Sequence, residues 1–134
     1  MRRNISRLLL VAVLTATGCA AALAQTPAAM LGTWTGMVTQ NNGVTGFTVV
    51  MTIAANAVKT EYPELKCSGK LTRVGAAKGY VFFTETITQG GKNSGGECFD
   101  GTITVTPAGN KLVWVWVGGL NGETLVAWST LERK

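Results

Sequence analysis

The stretch Gly101-Thr102-Ile103-Thr104-Val105-Thr106-Pro107-Ala108-Gly109-Asn110-Lys111-Leu112-Val113-Trp114-Val115-Trp116-Val117 decides the fold. Ile103 and Val105 alternate with Thr102, Thr104 and Thr106, the period of two that belongs to a strand with one buried face. Pro107-Ala108-Gly109-Asn110 carries turn chemistry, because Gly and Asn tolerate positive φ. Beyond it, Leu112, Trp114 and Trp116 alternate with Val113, Val115 and Val117. The pattern predicts a β-hairpin. Pairing Thr106 with Lys111 sets Val105 against Leu112, Ile103 against Trp114 and Gly101 against Trp116, a small residue under a large ring. Trp114 and Trp116 then point inward. The outward valines are unusual for a solvent face. They read as β-branched residues suited to a strand, with an apolar patch for a partner as the other reading.

The same texture extends in both directions. Runs of Thr, Val, Ile and aromatic residues mark eight strands at 31–40, 44–54, 57–62, 67–74, 79–89, 98–106, 111–118 and 123–132. Asn41-Asn42-Gly43 and Asn121-Gly122 are further turn signals, and Gly75 to Lys78 joins two of the strands. No connection is long enough for a parallel crossover, so neighbours pair antiparallel. An open meander leaves two edges that closure removes. The expected fold is all-β: an antiparallel up-and-down meander of about eight strands closed into a small barrel, with a two-sheet sandwich as the alternative. A barrel of about eight strands is filled by side chains or holds one small ligand.

The chain begins differently. Met1 to Arg7 is basic, Leu8 to Leu14 is apolar, and Ala22-Leu23-Ala24 precedes Gln25. This is the order of a signal peptide with its cleavage site, and the apolar run is too short to cross a bilayer. Residues 1–24 are read as a signal peptide, 25–30 as a short tether and 31–134 as one domain. Export to the periplasm or the extracellular space follows. Ala16-Thr17-Gly18-Cys19 carries the alternative of lipidation at Cys19, the one route to a membrane. The whole chain has 12 basic and 7 acidic residues, a net +5; without Arg2, Arg3 and Arg7 the balance is 9 against 7. The basicity is mostly targeting signal, and no Lys/Arg run remains to support nucleic-acid binding.

Without Cys19 the cysteines are Cys67 and Cys98, an even pair in an oxidising compartment, and a disulfide is the default. Closing such a loop contributes on the order of 3 kcal/mol. Two strands apart on a flat ladder is about 9.6 Å, too far for a disulfide. The loop 90–97 must therefore fold back over the barrel end. With no histidine in the chain and two mature cysteines, no metal site is expected, and no cofactor.

In strand 79–89, Val81, Phe83, Glu85 and Ile87 share the face richer in apolar residues. Glu85 is then an inward carboxylate. Pairing Val74 with Tyr80 places it opposite Gly69, which leaves it room. Arg73 shares the inward parity but sits several residues along the hairpin, near Val81, which disfavours a direct pair and leaves a partner from elsewhere open. Either Glu85 lies at the barrel mouth, or it makes an internal polar bond, or it orients a ligand in an apolar pocket. Trp34, Phe83, Trp114, Trp116 and Trp128 are the large rings read beside it, as core or as pocket lining.

Gly32-Thr33-Trp34 at the head of an eight-stranded meander resembles the Gly-x-Trp start of calycin barrels, which include lipocalins and avidins. Gly32-Thr33-Trp34-Thr35-Gly36, Tyr62-Pro63-Glu64-Leu65-Lys66-Cys67-Ser68-Gly69-Lys70-Leu71, Phe83-Thr84-Glu85-Thr86-Ile87-Thr88 and Cys98-Phe99-Asp100-Gly101-Thr102 together resemble a group of small bacterial extracytoplasmic domains. Those share Tyr-Pro-x-Leu-x-Cys-x-Gly-x-Leu with a later Cys, and also occur as appendages on larger proteins. The resemblance implies the Cys67–Cys98 pair and singles out Glu85. It implies no activity, and the polar contacts of avidins to biotin have no counterpart placed here.

An enzyme is not expected. There is no histidine for base catalysis, and Glu97 with Asp100, the nearest approach to a glycosidase pair, sits at a loop–strand junction. The expected function is non-catalytic binding, either of a small apolar ligand inside the barrel or of a protein partner. In the second case the protein inhibits a secreted hydrolase through loop 90–97. A structural component of the envelope is the remaining alternative.

Overall fold

The computed structural model describes residues 26–134. The signal-peptide reading of 1–24, with Cys19, lies outside them. Eight strands follow one another: β1 (Gly32–Gln40), β2 (Thr45–Ile53), β3 (Val58–Tyr62), β4 (Cys67–Ala77), β5 (Tyr80–Gln89), β6 (Gly101–Ala108), β7 (Lys111–Leu120) and β8 (Glu123–Arg133). Each pairs antiparallel with the next, and β1 pairs with β8, so the meander closes into a barrel. No edge strand remains among them, which is what inward apolar rows and short turns, two to four residues everywhere but between β5 and β6, favour.

Two hairpins differ in register from the expectation. The β6–β7 turn is Gly109-Asn110 alone, so Ala108 pairs with Lys111, Val105 faces Trp114, Ile103 faces Trp116 and Gly101 faces Gly118. Pro107 continues β6 because it lies past the last β5–β6 pair, Val81 with Val105, where its missing N–H costs that ladder nothing. In the β4–β5 hairpin Ala77 pairs with Tyr80, and the irregularity between Arg73 and Gly75 leaves Val74 without a partner and 59% exposed. Glu85 therefore pairs with Leu71, and Gly69 with Ile87. Both slips move the register by two residues. A shift of two keeps every side chain on its own face, where a shift of one would reverse them.

The faces accordingly hold. Val81, Phe83, Glu85, Ile103, Val105, Leu112, Trp114 and Trp116 are buried, while Val113 and Val117 are exposed at 36% and 37%. Gly101 still makes room for Trp116, although it is not the residue paired with it: a Cβ there would lie 2.5 Å from the indole Cε2.

One end of the barrel is closed by the segment just ahead of β1. Ala28–Met30, within the stretch read as a tether, form a 3-10 turn that buries Met30 completely. Trp34 Nε1 donates to the Met30 carbonyl at 2.8 Å. The Arg133 guanidinium, from the last strand, lies 4.2 Å from the centre of the Trp34 ring and donates to the carbonyls of Leu31 and Ala29 at 2.7 and 3.0 Å. First and last strands are thus tied through one aromatic ring and three backbone carbonyls.

Candidate functional site at the barrel mouth

The opposite end is built differently, because β5 and β6 part there. Their last pair is Glu85 with Gly101; β5 continues to Gln89, but β6 has not yet begun. The Ile87 N–H, left without a strand partner, donates to the Asp100 carboxylate at 2.8 Å. Residues 90–98 then fold back on themselves. Cys98 N donates to the Gly90 carbonyl at 3.1 Å, Lys92 N to the Cys98 carbonyl at 2.9 Å, and Gly96 N to the Gly91 carbonyl at 2.9 Å. This return brings Cys98 within 6.4 Å, Cα to Cα, of Cys67 at the start of β4, and the two form a disulfide. Cys98 precedes β6 rather than opening it, which is how the bridge spans what a flat ladder cannot. A disulfide suits an oxidising, extracytoplasmic compartment.

Below this loop the inward rows of β3, β5 and β7 converge on one carboxylate. Glu85 is 2% exposed. Its Oε1 accepts hydrogen bonds from the hydroxyls of Thr60 and of Tyr62, the latter at 2.9 Å, and its Oε2 accepts one from Trp116 Nε1 at 2.8 Å. The cluster fits because β4 presents no side chain at Gly69: a Cβ there would lie 2.7 Å from Glu85 Oε1 and 2.8 Å from Thr60 Oγ1. Burial pushes the Glu85 pKa above its ordinary value; the three donors hold the charged form in the opposite sense, and the nearby Asp100 adds to the upward push. Tyr62 is held well above its usual value by burial first and by Glu85 second, so it remains a neutral donor.

A cavity of about 280 Å³ opens at this end, with Phe47, Tyr62, Glu85, Trp114, Trp116 and Phe99 among its lining and Lys92 and Glu97 at its rim. Its volume lies at the lower edge of the range of about 300–1,000 Å³ that holds drug-sized ligands. Phe47 meets the Tyr62 ring edge-on at 6.4 Å, and Lys92 Nζ stands 5.5 Å over the Phe99 ring. The Trp114 N–H is buried without a partner among the described residues.

Of the residues singled out in the sequence, Glu85, Trp114 and Trp116 come together here. Trp34 does not: it belongs to the closed end. Phe83 lines a second hollow, of about 480 Å³, toward that same end, where Arg73 is the one charged lining residue. That hollow is bounded by Thr26, the first described residue, and lacks a converging set of polar groups. Trp128 lies on the outer face, 44% exposed and paired with Val115, because Leu125, Ala127, Ser129 and Leu131 are the inward row of β8. The alternation in β8 carries that signal; ring size alone does not. Thr60 and Tyr62 went unread as site residues, although the same alternation sets both on the inner face of β3. Asp100, considered beside Glu97 as an acid pair, is engaged with the Ile87 backbone.

No family model matches the chain, and neither a curated protein nor a solved structure gives a significant match. The fold and the mouth define the class: a closed, eight-stranded, antiparallel up-and-down barrel with a disulfide-pinned loop at one end, consistent with a calycin-like barrel.

Proposed function

We propose that the protein is a non-catalytic binder of a small, largely apolar ligand, exported and built as a calycin-like barrel. The observation that carries this reading is the mouth cavity itself: aromatic walls, one buried carboxylate and an opening to solvent. Small-ligand sites have this composition, apolar lining with few placed polar groups, and barrel mouths are among their common positions. Gly32-Thr33-Trp34 at the head of β1 supports the calycin reading, and the basic start, short apolar run and Ala22-Leu23-Ala24 support export. The absence of histidine from the chain and the structural engagement of Asp100 favour binding over catalysis.

Native mass spectrometry on protein captured gently from its own cells tests this reading. A small retained mass, lost on denaturation, is expected. A bare chain that carries a stoichiometric second protein would overturn it and favour an inhibitor acting through loop 90–97.

A further inference from the structure

We propose that the ligand of the mouth cavity is a small organic cation, an ammonium whose N–H donates to Glu85 Oε2 while its apolar part lies against Trp114 and Trp116. This rests on the cavity being a ligand site, and goes further by naming the ligand's charge.

The first ground is the hydrogen-bond capacity of Glu85. A carboxylate offers about four acceptor positions, two on each oxygen. Oε1 accepts from Thr60 and Tyr62, which fills it; Oε2 accepts from Trp116 alone among the described residues. One position on Oε2 is open, on a residue that lines the cavity. A donor is what it takes, so a ligand carboxylate or ether does not complete it.

The second ground is charge. The ion pairs among the described residues are Lys59–Glu61 and Lys111–Glu132, both on the surface. Glu85 has no Lys or Arg beside it, and a buried carboxylate without a countercharge is the costly arrangement. The groups that face it do not neutralise it. Tyr62 of β3 is neutral, Asp100 ahead of β6 is a like charge, and β7 contributes only indoles. Arg73 of β4 lines the hollow at the other end, and Lys92, which stands over the Phe99 ring, and Glu97 line the mouth with opposite charges and, among the described residues, without a bond to Glu85. Aromatic faces attract cations in desolvated sites. A cation is therefore favoured both by the carboxylate and by the walls, whereas an anion is repelled and a neutral ligand leaves the charge uncompensated.

Burial holds the Glu85 pKa up in the empty site. An ammonium binds the ionised form, so its affinity rises with pH through that pKa and then levels, and binding below it releases a proton.

The test is isothermal titration of the disulfide-intact protein with 2-phenylethylammonium, with 2-phenylethanol and 3-phenylpropionate as neutral and anionic matches. At pH 8 the ammonium is expected to bind at least about tenfold more tightly than the alcohol. Glu85→Gln should remove that preference. Wild-type titrations at acidic pH, in two buffers of different ionisation enthalpy, should show proton release without recourse to any variant. Alcohol or propionate binding as tightly as the ammonium overturns the cation and leaves the cavity reading in place. If none of the three binds, both fall.

Discussion

At the closed end, Trp34 is covered by Met30 and the Arg133 guanidinium, and its N–H reaches a backbone carbonyl four residues away. At the mouth, Trp116 donates to a carboxylate 31 residues away in sequence, while Trp114, 1% exposed, has no partner for its N–H among the described residues. At the closed end the Trp34 N–H and the Arg133 guanidinium are satisfied by local backbone, whereas Arg73 Nε, in the hollow toward that end, is buried without a partner among the described residues. The mouth gathers side chains from β3, β5 and β7, keeps one acceptor position open and leaves space above it. The two ends differ in how their rings are held: Trp34 by local backbone, Trp116 by a side chain from another strand.

The largest effect that sharpens this contrast is expected at Trp34. Trp34→Ala removes a fully packed ring and the face on which the Arg133 guanidinium rests, and should cost about 3–5 kcal/mol in urea unfolding. A loss below about 1 kcal/mol would show that the closed end does not hold the barrel. Next comes the double substitution Cys67→Ser with Cys98→Ser. The sequence separation is 31 residues, for which the loop-entropy relation gives about 3–4 kcal/mol. The loosened loop should also weaken ligand retention, a mouth effect that Trp34→Ala, assayed on its folded fraction, should not share.

A smaller, pH-dependent difference is expected at Glu85. Its folded pKa is raised by burial above the unfolded value. Between those two values the native state therefore holds more protons than the unfolded state, so stability is greatest below the unfolded pKa and is lost as pH rises through the folded one. Urea midpoints of wild type minus those of Glu85→Gln should fall from mildly acidic to neutral pH. A flat difference would mean that the three donors outweigh burial. The smallest effect belongs to Trp128. Trp128→Thr exchanges an exposed ring on the outer face and should change stability by less than about 0.5 kcal/mol, with ligand affinity unaltered. A loss of affinity would place a second surface in the binding event.

Much of the barrel was legible from residue alternation. Ile103 and Val105 against the threonines, and Leu112, Trp114 and Trp116 against the valines, assign inner and outer faces without any knowledge of partners. Those faces survived two errors of register because each slip was by two residues. The exact turns were less legible: Pro107 reads as a turn residue until the end of the β5–β6 ladder shows that its missing N–H is not needed there. Trp128 shows the limit of residue type as a guide. Its size suggested the interior, and only the inward row of Leu125, Ala127, Ser129 and Leu131 corrects that.

By itself, the sequence determined the strand texture, the closed meander, the pairing of Cys67 with Cys98 and the inward direction of Glu85. These follow from period-two patterning, turn chemistry and cysteine parity, all local or countable properties. Tertiary structure alone decided which rings share a chamber with Glu85, and that Thr60, Tyr62 and Trp116 donate to it. Those residues are 23 to 31 positions away, and their meeting depends on strand register, on the parting of β5 from β6 and on the missing side chain at Gly69. No local pattern encodes distances between strands; closure of the barrel does.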